Sequence, residues 1–132
     1  MELDLGKALG ATDEPSAQRL TVYIPNKDRD GAALADHATW CNEAQELLTA
    51  IGDGATAFPP VEGTWRRPDG TDLWEQTKII YTYIDPEKMI ANIPRLREFL
   101  HRFGRETKQG RVVIEFDGKF WSIDQYDPPA AE

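Results

Sequence analysis

A chain of 132 residues with a formal net charge of −8 suits one domain, able to bury roughly two-thirds of the surface its unfolded form exposes. The acidic balance argues against nonspecific nucleic-acid binding, and no apolar run approaches the ~20 residues needed to cross a bilayer, so neither nucleic acid nor a membrane is an expected partner. The single cysteine, Cys41, excludes an internal disulfide and a multi-cysteine metal site, and the acidic start MELDLGKALG lacks the apolar block of a signal peptide; a cytoplasmic protein is expected.

Residues 1–18 show no sustained periodicity and read as a flexible arm with a short helical turn near Leu3 to Leu9. Order is expected from Arg19. In RLTVYIP, Leu20, Val22 and Ile24 alternate with Thr21 and Tyr23, the period of a half-buried strand closed by Pro25. Asn26 to Gly31 places oxygen-bearing side chains at alternate positions before a glycine, as the first half of a calcium loop does. The twelfth position is His37 where a bidentate Glu is needed, so a plain turn is the reading and no metal is expected.

From Ala32 to Ile51, Leu34, Ala38, Cys41, Gln45, Leu48 and Ile51 recur at spacings of three and four, with Trp40, Ala44 and Leu47 widening the stripe. This predicts an amphipathic helix with Cys41 as a buried, inert thiol and His37 at its margin. Pro59-Pro60 divides the next extended segment into Ala55 to Phe58 and Val61 to Arg67, two pieces of a bent or bulged edge strand. Pro68-Asp69-Gly70 is turn chemistry, and Leu73 to Ile84 is a long strand that sorts Glu75, Thr77, Ile79, Tyr81 and Tyr83 onto the opposite face from Trp74, Lys78, Ile80 and Thr82.

Asp85-Pro86-Glu87 caps a helix whose stripe is Met89, Ile93, Leu96, Leu100 and Phe103, with a kink or a split expected at Pro94. Residues 88–111 hold seven bases and two acids, a local positive strip in an acidic chain. Arg111 to Phe116 and Lys119 to Ile123 form a hairpin about Asp117-Gly118, and a flexible tail is expected over 127–132. The organisation is therefore an arm, a single α+β domain over 19–126, and a tail. The order strand, helix, strand, strand, helix, strand, with one added strand, is a ferredoxin-like βαββαβ plan: an antiparallel sheet with two helices on one face and an extra C-terminal hairpin strand. Its other face is left open, with Tyr23, Val113, Thr77, Ile79, Tyr81 and Tyr83 as candidates to occupy it.

RNA-recognition domains use such a face, but RVVIEF does not match their strand motif. The blocks YIPNKDRDG, GATAFPPVEGTW, EQTKIIYTY and FGRETKQGRVVIEFDG, over roughly residues 20–123, resemble a family of small uncharacterised bacterial proteins with a G-x-W…E-x-T-K pattern. The resemblance implies a ferredoxin-like fold and no established activity, and its matching positions here are Trp65, Glu75, Thr77, Lys78, Arg105, Glu106 and Gln109. With Tyr81 these form the candidate ligand or partner site. The leading expectation is a binding or regulatory module without a cofactor that forms a homodimer through its aromatic sheet face. One alternative is a small enzyme on an anionic substrate, with Glu75 as acid or base and Lys78 or Arg105 as anion clamp. A second is an acidic interaction protein that competes with nucleic acid for a basic protein partner.

Overall fold

Alternation in RLTVYIP decides where the layers lie. In the computed structural model, which describes residues 2–130, this segment is strand β1 (Arg19–Pro25), with Leu20, Val22 and Ile24 fully buried on one face. Met1 of the expected arm and Ala131 and Glu132 of the expected tail lie outside the described residues. Ahead of β1, Asp4 caps the short helix α1 (Leu5–Leu9), which buries nothing.

The chain continues through α2 (His37–Gly52), β2 (Thr56–Ala57), β3 (Val61–Arg66), β4 (Asp72–Tyr83), α3 (Pro86–Glu106), β5 (Val112–Phe116) and β6 (Lys119–Ile123). All strand pairings are antiparallel, in the order β2-β4-β1-β5-β6, with β3 on β4. Thr77 pairs with Pro25 on one side and Val61 on the other, and Tyr81 with Thr21 and Thr56, so β2 and β3 are two pieces of one edge divided at Pro59-Pro60. Pro60 has no N–H to give a ladder, which is why the edge breaks there. The β5–β6 turn has positive φ at Asp117 (53°) and Gly118 (78°), the hand that a two-residue hairpin requires.

Leu20, Val22, Ile24, Ile80, Val112 and the buried faces of α2 and α3 form one apolar cluster, so both helices cover the same face of the sheet. In α2 the buried residues are Trp40, Cys41, Ala44, Leu47, Leu48 and Ile51. This helix begins at His37, five residues later than the apolar spacing predicts. Asp28 accepts the backbone N–H groups of Asp30 (2.8 Å) and Ala32 (2.9 Å), and Leu34 N–H reaches Asn26 O (2.9 Å), so residues 26–34 close into a loop. The Ala32 bond is also the main reason the Asp28 carboxyl is held below its usual range.

Asp85 caps α3 through Glu87 N–H (3.0 Å) and Lys88 N–H (3.1 Å). The helix runs unbroken through Pro94, where a kink or split is expected. The bond that Pro94 cannot make would end on the carbonyl of Ile90, a residue 74% exposed, where water can take its place. Leu96, Phe99, Leu100 and Phe103 meanwhile bury the opposite side. Trp40 packs edge-on against Phe99 and Phe103, and Arg102 lies over its ring while pairing with Glu43 and Glu98. No helix among the described residues is long and apolar enough to cross a membrane.

Candidate functional site

The unequal lengths of β4 and β1 create the site. β4 has 12 residues and β1 has 7, so β1 accompanies β4 only from Thr77 to Tyr83, and the first part of β4 projects past it together with β3. The loop after β1 covers the free edge of this arm. Asn26 exchanges two bonds with Gln76, through N–H to Gln76 O (2.9 Å) and from Gln76 N–H to its Oδ1 (2.9 Å), and Lys27 Nζ donates to Trp74 O (2.8 Å). Arg67, at the tip of the arm, donates to Arg29 O (3.3 Å).

Twist curls this arm over the face that carries no helix. Trp65 pairs with Leu73, whereas the β1–β5 register, extended by three residues, sets Arg111 beside Pro25 and so in the row of Thr77. In a flat sheet, positions so placed stand about 14 Å apart across the strands and about 13 Å along them. Yet the Arg111 guanidinium lies 5.5 Å from the centre of the Trp65 ring. The curl that brings them together encloses a groove of about 630 Å³, a size that suits a small-molecule ligand.

Tyr23, Pro25, Glu75, Thr77 and Val113 form the floor of the groove, and Trp65, Leu73 and Phe120 contribute apolar walls. Arg29, Arg67 and Arg111 bring three guanidinium groups to the lining and Asp30 and Asp69 two carboxylates. Gly63 sits opposite Glu75 in the β3–β4 ladder, so the lane above Glu75 and Thr77 is not filled by a side chain. Gln109 is buried, and its amide nitrogen is committed to Lys27 O (2.9 Å) and Thr107 Oγ1 (3.1 Å), which leaves the amide oxygen as its polar atom for the groove.

Glu75 is the chemical oddity of this lining. Its carboxylate is half-buried, and among the described residues it has neither a hydrogen bond nor an ion pair within 4 Å. Burial pushes its pKa up, with Lys27 opposing from a distance. The Tyr23 phenol, further along the groove floor, is also pushed up, first by burial and then by the charge of Glu115. An unpartnered carboxylate one ladder step from the Trp65 ring can accept a proton or attract a cation.

Of the eight candidate residues, Trp65, Glu75, Thr77 and Gln109 line this groove. Lys78 pairs with Ile24 and points to the helix side of the sheet, where its charge acts on Cys41. Tyr81 is on the open face but outside the groove, against Phe58 (5.7 Å), Tyr83 (6.2 Å) and the Arg19 guanidinium (5.5 Å). Arg105 and Glu106 end α3 on the far side of the sheet, and Arg105 donates to Asp127 O (2.6 Å). Glu75 therefore does not converge with Lys78 or Arg105. The cations it shares a cavity with are Arg29, Arg67 and Arg111, none of which sequence reading singles out. Arg111 and Phe120 were within reach of strand parity, since each falls on the face of Val113 and Glu115. Arg29 and Arg67 leave no such trace, because loop contacts bring them in.

No family model and no curated protein matches the chain. Two solved structures resemble it. A phage SAM lyase in complex with S-methyl-5'-thioadenosine superimposes with a TM-score of 0.60 at 13% identity, over 86% of this chain and 94% of that one. A phage SAM lyase in the apo state gives a TM-score of 0.54 at 12% identity, over 87% and 97%. At these identities the likeness is one of fold.

Proposed function

We propose that the groove binds a small ligand with a planar ring and a cationic centre, and that adenosyl sulfonium compounds of the S-adenosylmethionine class are that ligand. The observation that carries this reading is Glu75: a half-buried carboxylate without a partner among the described residues, set diagonally from Trp65 in the β3–β4 ladder, is complementary to a positive charge. The fold shared with a protein solved in complex with S-methyl-5'-thioadenosine supports the adenosyl part. The strand order and the two helices on one face support describing that fold as ferredoxin-like. Calorimetric titration with S-adenosylmethionine tests it. Saturable binding that Glu75→Gln weakens is the expected result. No binding, or binding indifferent to that change, overturns the proposal.

The likeness to a lyase favours a second reading, in which the bound sulfonium is also cleaved. The C–S bonding pair leaves on sulfur as neutral S-methyl-5'-thioadenosine, a neighbouring C–H pair becomes the new double bond, and Glu75 takes the proton. Chromatography of S-adenosylmethionine incubated with the protein decides between the two readings: accumulating S-methyl-5'-thioadenosine establishes cleavage, and unchanged substrate leaves a binding module.

Self-association belongs to the same proposal. Phe58 and Tyr83 stay exposed beside the groove and suit coverage by a second copy of the chain. Light scattering that returns the monomer mass at high concentration removes that part alone.

A further inference from the structure

The contact between Trp65 and Arg111 joins opposite walls of the groove and places a cation on the indole. A gap of 5.5 Å between guanidinium and ring centre cannot admit another planar group, for which stacking on both sides needs about 7 Å. Any ligand that uses this face of Trp65 must therefore move Arg111 aside. Arg111 is exposed, and no hydrogen bond or ion pair of its side chain appears among the described residues, so little holds it except the ring. Once displaced, it stays on a rim that also carries Arg29 and Arg67. A freed guanidinium there is suited to a carboxylate or phosphate by a charge-assisted, bidentate pair.

We propose that Arg111 is a resident occupant of the Trp65 ring that a zwitterionic ligand exchanges for its own cation, after which Arg111 holds the anionic group of that ligand. The idea rests on the groove being the ligand site and narrows the ligand class. The ligand carries a positive centre for Glu75 and Trp65 and, a few bonds away, a carboxylate or phosphate for Arg111. Neutral ligands displace Arg111 without return, and so bind against it.

The test compares two probes, S-adenosylmethionine, which carries both charges, and S-methyl-5'-thioadenosine, which carries neither, on the wild-type protein and on Arg111→Gln and Arg111→Lys. Arg111→Gln should weaken S-adenosylmethionine about tenfold, the worth of one charge-assisted bond, and tighten S-methyl-5'-thioadenosine about twofold to fivefold by clearing the ring. Arg111→Lys should restore most of the S-adenosylmethionine affinity. Opposite movement of the two probes is the signature. If both bind the wild type and Arg111→Gln shifts them the same way, or shifts neither, Arg111 is only wall and this inference fails while the site stands. If neither probe binds the wild type, the proposed ligand fails and the exchange fails with it.

Discussion

Gly104 lies in the last turn of α3, and a methyl group added there would stand 2.2, 2.4 and 2.7 Å from Cε1, Cζ and Cδ1 of Tyr126. Ordinary contact needs more than about 3.4 Å, so the ring must retreat by over 1 Å. It is poorly placed to do so. Its hydroxyl donates to Gln109 O (2.9 Å), its ring meets His101 edge-on, and burial pushes its phenol pKa up to about 12. The next residue, Asp127, donates its N–H to His101 Nδ1 (2.8 Å) and pairs with Arg97 through both carboxylate oxygens. Gly104→Ala gains about 1 kcal/mol of helix propensity but costs about 1–3 kcal/mol in overpacking and about 1 kcal/mol for a weakened Tyr126 bond. The expected net loss is about 1–3 kcal/mol, or roughly 3–12 °C in Tm. In a Tyr126→Ala background the obstacle is gone, and the same Gly104→Ala change should stabilise by up to about 1 kcal/mol. Denaturant unfolding of the four proteins gives the cycle, with a coupling of about 2–4 kcal/mol. Stabilisation by Gly104→Ala in the wild-type background, or the same sign in both, would refute the packing argument.

Glu75 titrates with a raised pKa, so the neutral acid suits the folded state better than the carboxylate does. Its stabilising effect is complete below the ordinary carboxylate pKa and is lost as pH rises through the raised value. Glu75→Gln should therefore have a higher Tm than the wild type at pH 7 and match it at about pH 4 and below, and a lower Tm at pH 7 would contradict the assignment. Binding of a cationic ligand should weaken as pH falls toward the same range, a trend that Glu75→Gln abolishes. Gly63→Val extends a side chain into the lane above Glu75, where even its Cβ meets Thr77 Oγ1 at 3.2 Å; ligand affinity should drop tenfold or more, about 1.4 kcal/mol, while circular dichroism stays that of the folded protein. Pro94→Ala should stabilise by about 1–3 kcal/mol by restoring the bond to Ile90 O, measured by urea unfolding, and destabilisation would show that the ring has a packing role.

The apolar spacing located both long helices and the alternation located β1, because burial on one side imposes a period that survives in any context. Leu20, Val22 and Ile24 are fully buried, and Leu48 and Ile51 of the first stripe and Leu96, Leu100 and Phe103 of the second lie in the core. The same spacing overran the start of α2. Leu34 packs against the core from a loop, so an apolar residue at helical spacing need not be helical. Parity along β4 separated Glu75 and Thr77 from Lys78, but could not say which of them would share a cavity. Ile93 illustrates the reverse error: on the predicted stripe, it is 46% exposed although Met89 and Leu96 on either side of it pack against the core.

By itself the sequence determined the elements and their inward faces, since periodicity, caps such as Asp85 and turn residues such as Asp117-Gly118 act over a few residues. Only the tertiary structure decided the groove. The excess length of β4 over β1 and the curl of its free arm bring Trp65 to Arg111, while loop hydrogen bonds bring in Arg29 and Arg67. Arg105, close to Gln109 along the chain, ends on the other side of the sheet bound to Asp127. Nearness of that kind depends on how the strands stack and twist, and no local pattern encodes it.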